Sequence, residues 1–293
     1  MKNNILYPND VGLLFKAFGK MAAFATRHHL PLWWDQDEVK QQWRAFGVTK
    51  KRDRATYLLK FHLLFAPALD IFREKVEALE ASEKEKQKAR QWVDLLSLLE
   101  AQTVQKLAGE THIQDRIVSL DEVDARPIKK GKSHPSCEFG TTLQMSFNRQ
   151  GYLITTENFI GSPNDKTLYG NTLDLFRDRM RVDPHTVVTD QGSRSKHNFN
   201  TTPQTISYVF LGRSADVIQD HQDFCKSARS ATEGFIAVAK NLRGFGRSLY
   251  RGLRGDRIWT LLCQTAYNLK KFLQLYRAEE IQEESLVKLG LLG

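Results

Sequence analysis

The stretch HTVVTDQG, residues 185–192, decides how the second half of the chain is read. Thr186 to Thr189 are β-branched without a break, the composition of a strand, and Gln191-Gly192 follows as a turn. Asp190 therefore stands at the carboxyl end of a strand, where open α/β sheets form their sites. Two readings of it stay open at this level: a side chain that caps the following turn or helix, and a functional carboxylate.

Working outward from that strand, TTLQMSF (141–147) and YLITTENFI (152–160) alternate in polarity around a turn at Asn148 to Gly151, which predicts a hairpin. A helix over about 165–180 leads into the 186–189 strand. A short helix, a further strand in TISYVFLG (205–212) and two long helical segments, 215–242 and 256–277, complete the chain. Strands alternating with helices predict an α/β domain over 116–293, preceded by an α-helical region over 1–115. In that first region, Leu14, Phe18, Met21 and Ala22 recur at helical spacing within 11–27, after Asp10 as N-cap. A second helix lies in WWDQDEVKQQWRAF (33–46). A third, ATYLLKFHLLFAPALDIF (55–72), is expected to bend or break at Pro67. Residues 73–107, rich in Glu, Lys, Gln and Ala, predict a long solvated helix, or half of a helical hairpin, and Trp33, Trp34 and Trp43 read as core rather than as an interaction surface.

The chain has 293 residues, with 43 Lys and Arg against 34 Asp and Glu, a net charge of +9. Its hydrophobic share of 41% excludes collagenous, low-complexity and wholly disordered classes, and the excess of cations points to a polyanionic partner. Cys137, Cys225 and Cys263 are too few and too scattered for a disulfide framework or a zinc site, which predicts a cytoplasmic protein with reduced thiols. No membrane partner is expected, because Lys60, His62 and Asp70 interrupt the most apolar stretch. RPIKKGKS (126–133) ends like a P-loop but carries Arg126 where the first glycine belongs, and H-E-x-x-H, G-x-S-x-G and G-x-G-x-x-G are absent.

Two features remain. Arg229, Glu233 and Lys240 fall within about 40° of one another on a helix at about 100° per residue, so a carboxylate shares a face with two cations. A solvated ion-pair ladder is the competing reading, although Arg before Glu is the weaker order for one. From Lys226 to Arg257 the chain carries eight cations, Arg243, Arg247 and Arg251 among them, against Glu233 and Asp256 alone. Glycines 244, 246, 252 and 255 interleave them; arginine forks bind phosphate, and small residues permit close approach of a phosphodiester backbone. Asp190 and Glu233 together suit a pair of divalent ions, which needs a third carboxylate. Asp121 and Asp124 are the other acids weighed for that role, though they precede a proline-containing turn.

At this point the sequence resembles the DDE-type insertion-sequence transposases of bacteria, those with a ribonuclease-H-like catalytic domain: a mixed sheet flanked by helices. The resemblance rests on NILYPNDVGLL (4–14), DARPIKKGK (124–132), FGTTLQMSFNRQGYLI (139–154), NDKTL (164–168), VVTDQG (187–192) and the block from Arg229 to Lys271. The signature Tyr-x2-Arg-x3-Glu-x6-Lys is matched by Arg229, Glu233 and Lys240, with Lys226 in place of the tyrosine. It implies that Asp190 and Glu233 are the second and third metal-binding carboxylates, that the cofactor is Mg2+ or Mn2+ in a two-metal site, and that Arg229 and Lys240 contact DNA, with Arg243, Arg247 and Arg251 as further DNA contacts. The activity implied is DNA transposition by cleavage and strand transfer, with element ends and target DNA as partners, and a second copy or an intact transposase as a protein partner. In the family the first catalytic Asp lies on a strand just before the block that NILYPND resembles. The resemblance thus implies an N-terminally truncated copy without the first strand of the sheet, inactive, nucleoid-associated through DNA. The alternative is a non-catalytic DNA-binding protein or inhibitor derived from a transposase; a nuclease that draws on Asp121 or Asp124 is a third.

Overall fold

Eighteen residues, α1 (Asp10–Arg27), open the described part of the chain, and their apolar positions explain the helix: Val11, Leu13, Leu14, Ala17, Phe18, Met21 and Ala25 are buried along one side. The computed structural model describes residues 9–48, 53–129, 137–211 and 219–277. The cap of α1 is Asn9 rather than Asp10: the Asn9 side chain accepts from the Gly12 N–H at 2.5 Å. Either residue type can cap. Asp10 is drawn inside the first turn because Arg116 binds its carboxylate at 2.7 and 2.9 Å.

Three more helices follow: α2 (Gln36–Gly47), α3 (Arg54–Glu77) and α4 (Glu83–Leu107). Contrary to the expectation at Pro67, α3 runs through it unbroken. The proline costs one backbone hydrogen bond and crowds the preceding turn. It stands on the exposed side with Leu63, while Phe61, Phe65, Leu69 and Phe72 on the other side are 0–1% exposed. Burial of that face outweighs the local preference. By length and composition α3 is apolar enough to cross a membrane, yet its buried face belongs to the core shared with α1 and α4.

The run 73–107 takes the hairpin form, holding the end of α3 and then the long helix α4, which share one core. α3 ends at Glu77, and Ser82 starts α4 with a capping box in which its hydroxyl accepts from the Glu85 N–H while Glu85 binds back to the Ser82 N–H at 3.2 Å. Trp33, Trp34 and Trp43 pack against the core, Trp43 stacked on Phe15 at 4.6 Å and Trp33 donating to the Ala68 carbonyl at 2.7 Å.

The chain divides into two compact units between Pro127 and Ile128. The expected boundary at 115/116 falls inside the first unit, since Ile117 and Leu120 lie in the helical core and Gln102 holds the Ile117 backbone by both N–H and carbonyl.

The second unit is mixed α/β. Strands β1 (Arg126–Lys129, where the chain passes between units), β2 (Cys137–Phe147) and β3 (Leu153–Ile160) form one sheet in the order β1-β2-β3. β2 and β3 are the expected antiparallel hairpin, in register from Thr141↔Ile160 to Ser146↔Thr155, with a shift before Phe147↔Leu153. Helix α5 (Asp165–Met180) leads to β4 (Thr186–Thr189), a 3-10 turn (Gln191–Ser193), α6 (Lys196–Thr201) and β5 (Tyr208–Leu211). β4 and β5 pair in parallel as a separate two-stranded sheet. Among the described residues the strands thus form two sheets, where a single mixed sheet was expected. Helices α7 (Gln219–Leu242) and α8 (Gly252–Arg277) complete the unit. Leu153, Ala239, Phe245, Cys263 and Tyr267 form one core; Tyr169, Leu173, Ile206 and Leu211 form another.

Candidate nucleic-acid interface

Asp190 follows β4 directly, as its β-branched approach predicts, and its carboxylate accepts from the Gly192 N–H at 2.9 Å. The capping reading is therefore realised: Asp190 is the N-cap of the 3-10 turn. Its other neighbour was not visible in the sequence. Asp165, first residue of α5 after the Asn164 cap, points its carboxylate at the same turn, so that a Cβ at Gly192 would collide with it and lie 3.0 Å from Asp190 Oδ1. Asn198 fixes this approach, donating to the Lys166 carbonyl at 2.9 Å and the Ser193 carbonyl at 2.8 Å and so tying the start of α5 to the turn after β4. Burial, and then the charge of Asp190, push the Asp165 carboxyl above its ordinary range. Two adjacent like charges favour a shared proton or a counter-cation. The Asn164-Asp165 cap signal, immediately after a proline, placed Asp165 at a helix start but not beside Asp190.

Glu233 and Arg229 lie one turn apart on α7, 3.7 Å from nitrogen to oxygen, with the Glu233 side chain 69% exposed. The ion-pair reading is thus realised as well, in its weak exposed form. Lys240 is exposed on the last turn of the same helix.

The fit of these acids to a two-metal centre follows from the donor set. Such a centre needs at least three ligands that converge. Among the described residues no group of three His, Cys, Asp or Glu side chains does so; Asp190 has Asp165 beside it, and Glu233 is engaged with Arg229. Asp121, weighed as another acid, binds Lys20 at 2.6 Å in the first unit. The residues described do not assemble a two-metal cage.

The arginine-dense segment is better defined. α7 ends where Gly244, at φ +81°, turns the chain and the Phe245 N–H reaches back to the Ala239 carbonyl at 3.2 Å. The segment then runs to α8 with Arg247, Arg251, Arg254 and Arg257 exposed and Arg243 half-buried. Of the two acids near it, Asp256 is fully buried and Glu233 lies on α7 paired with Arg229, so the exposed arginines of the connection itself have no acid among them. Arg257 is committed, donating to Glu157 at 2.7 Å.

Three glycines of this segment, Gly244, Gly246 and Gly255, are required by the protein's own close packing. A Cβ at Gly246 would lie 2.7 Å from the Lys240 carbonyl oxygen, and one at Gly255 would lie 2.8 Å from Tyr250 Cβ. At Gly244 it would meet Cys263 Sγ at 3.0 Å, beside Trp259, whose indole N–H donates to the Gly244 carbonyl at 3.0 Å. Close packing of the α7–α8 connection explains why small residues recur there. The thiols of Cys225 and Cys263 are buried, which pushes their pKa up.

No protein-family model, curated protein or solved structure matches this chain.

Proposed function

We propose that the protein binds DNA, as a polypeptide of the DDE insertion-sequence transposase type with a ribonuclease-H-like second unit. The observation that carries the reading is the run Arg243 to Arg254 at the α7–α8 connection, four arginines with no acid among them, of which Arg247, Arg251 and Arg254 are exposed. Supporting it are the ordered sequence blocks that resemble the family, the β4 strand that ends on Asp190, and the helix that carries Arg229, Glu233 and Lys240.

In this reading Arg243, Arg247 and Arg251 grip successive phosphates, with Arg229 and Lys240 on α7 extending the track. By sequence position Asp190 and Glu233 match the second and third family carboxylates, but the described residues do not gather into a site for Mg2+ or Mn2+, and the reading is one of DNA binding without catalysis. Phosphate binding by forks supplies affinity without reading base sequence, so specificity for element ends requires further interactions with the bases.

The experiment is a titration of duplex DNA at several salt concentrations. The wild-type chain should show log K falling linearly with log salt. The triple Arg243→Ala, Arg247→Ala, Arg251→Ala variant should bind more weakly, with a slope shallower by about 0.9 for each phosphate no longer neutralised. Equal affinity and slope in the two proteins would contradict the reading.

A further inference from the structure

Helix α8 lies along β3, and the seam between them is polar. Asp256, Thr260 and Gln264 recur every fourth residue and so form one stripe on the helix, each buried, at 0, 1 and 7% exposure. Facing it on the hairpin are Thr141, then Asn158, then Thr156. The register sets Thr141 opposite Ile160, Leu143 opposite Asn158 and Met145 opposite Thr156, so alternate residues share one face of the sheet.

The outer two rungs of this ladder are closed. Thr141 Oγ1 donates to Asp256 Oδ2 at 2.6 Å, and Thr156 Oγ1 donates to Gln264 Oε1 at 2.9 Å. Gln264 also donates to the Leu153 and Ile154 carbonyls at 2.9 and 3.0 Å, which anchors the helix at that end. A turn of helix and two residues of strand advance by similar lengths, roughly 6 and 7 Å. The middle rung must therefore set Thr260 opposite Asn158, and Arg257, which reaches the Asn158 carbonyl at 3.5 Å, places α8 beside that residue.

This middle rung is where hydrogen bonding fails. Thr260 Oγ1, Asn158 Nδ2 and Asp256 Oδ1 are all buried without a partner, on side chains no more than 1% exposed. A buried polar atom left unsatisfied is costly, and most are paired with protein or with ordered water. Asp256 and Thr260 are one turn apart on the same stripe and the register sets Asn158 across from them, so the three orphan atoms belong to adjacent rungs and are of complementary type, matching the usual complement of an internal water, about three hydrogen bonds.

We infer that the α8–hairpin seam binds one internal water molecule at its middle rung. It accepts from the Asn158 amide, donates to Asp256 Oδ1 and exchanges its second hydrogen bond with the Thr260 hydroxyl. The water completes the hydrogen bonding of a carboxylate that is fully buried at the base of the arginine-dense segment, and so seats the first turns of α8. This site is independent of DNA binding and stands or falls without it.

Two measurements on the full chain test it. In a crystal structure that resolves ordered solvent, density should appear within about 2.7–3.2 Å of all three atoms. Absence of density with the Asn158 amide directly on Asp256 would overturn the inference, as would an oxygen-only shell at the shorter distances of a metal ion. Thermal unfolding of Thr260→Val, which keeps the shape and removes the hydroxyl, should show a lower Tm, because the water loses a partner. An equal or higher Tm is the result for deleting a hydroxyl that has no partner, and it too would overturn the site.

Discussion

In the helical unit, Phe61, Phe65, Leu69 and Phe72 of α3 meet Leu14, Phe18 and Met21 of α1 in one apolar core, with Phe18 edge-on to Phe65 and Phe24 edge-on to Phe72. In the second unit, the apolar side chains separate into two small cores under two sheets, and polar side chains fill much of the space between elements: Thr141 on Asp256, Thr156 on Gln264, Asn198 across the turn after β4, Asn268 on the Leu153 backbone. The first arrangement is non-directional and tolerates sliding; the second fixes directions. Asp165 and Asp190, brought together around the turn after β4, sit in the directional unit. The helical unit holds its shape by volume.

The largest effect that would break this contrast is Phe65→Ala. The ring is 0% exposed at the centre of the helical core, and its loss should cost about 3–5 kcal/mol in denaturant unfolding of the full chain. A cost below about 1 kcal/mol would mean that the core collapses readily and does not hold its shape by volume. A middling effect sharpens the second half of the contrast. Gly246→Ala places a Cβ 2.7 Å from a backbone oxygen that cannot swing aside, and should cost about 1–3 kcal/mol. Gly170→Ala is the matched control, since α5 leaves open space at that position. Removing a helix-interior glycine there should stabilise by about 0.5–1 kcal/mol. Similar losses at both positions would show that close packing of the α7–α8 connection is not the cause.

The smallest effects lie in pH dependence and have opposite signs. The Thr205 hydroxyl, at 2.5 Å, and then Arg177 hold the Asp183 carboxyl below its ordinary range. Its contribution is therefore present above the unfolded carboxylate pKa and is lost as pH falls through the lower folded one. Thr205→Val should lower Tm at neutral pH, with the difference vanishing in acid. Asp165, raised by burial and by Asp190, works the other way: its charge opposes folding at neutral pH, and protonation relieves it. Asp165→Asn should raise Tm at neutral pH and lose that advantage as the medium is acidified. Melting curves of both variants across pH check the pair.

Much of this was legible in local sequence. The β-branched run at 186–189 gave β4 and put Asp190 at its end, alternation gave the β2–β3 hairpin, and aromatic spacing placed the three tryptophans in the core. What was not legible depended on partners distant in the chain. Pro67 reads as a break because the burial of Phe61, Phe65 and Phe72 cannot be seen locally. The grouping of strands into two sheets depends on pairings far apart in sequence. Asp165 meets Asp190 only because Asn198 spans two backbone segments. Asp256 looked like one of two acids in a basic run, and its burial against Thr141 depends on a residue 115 positions away. The start of α4, by contrast, was written as Ser82-x-x-Glu85 and was obscured by the charged run around it.

In the proposed reading, DNA meets the second unit through the arginine-dense segment. Hydrogen exchange of the full chain with and without duplex DNA tests it most directly. The account predicts added protection over residues 229–257. Protection concentrated in α1 to α4, with residues 229–257 unaffected, would contradict it.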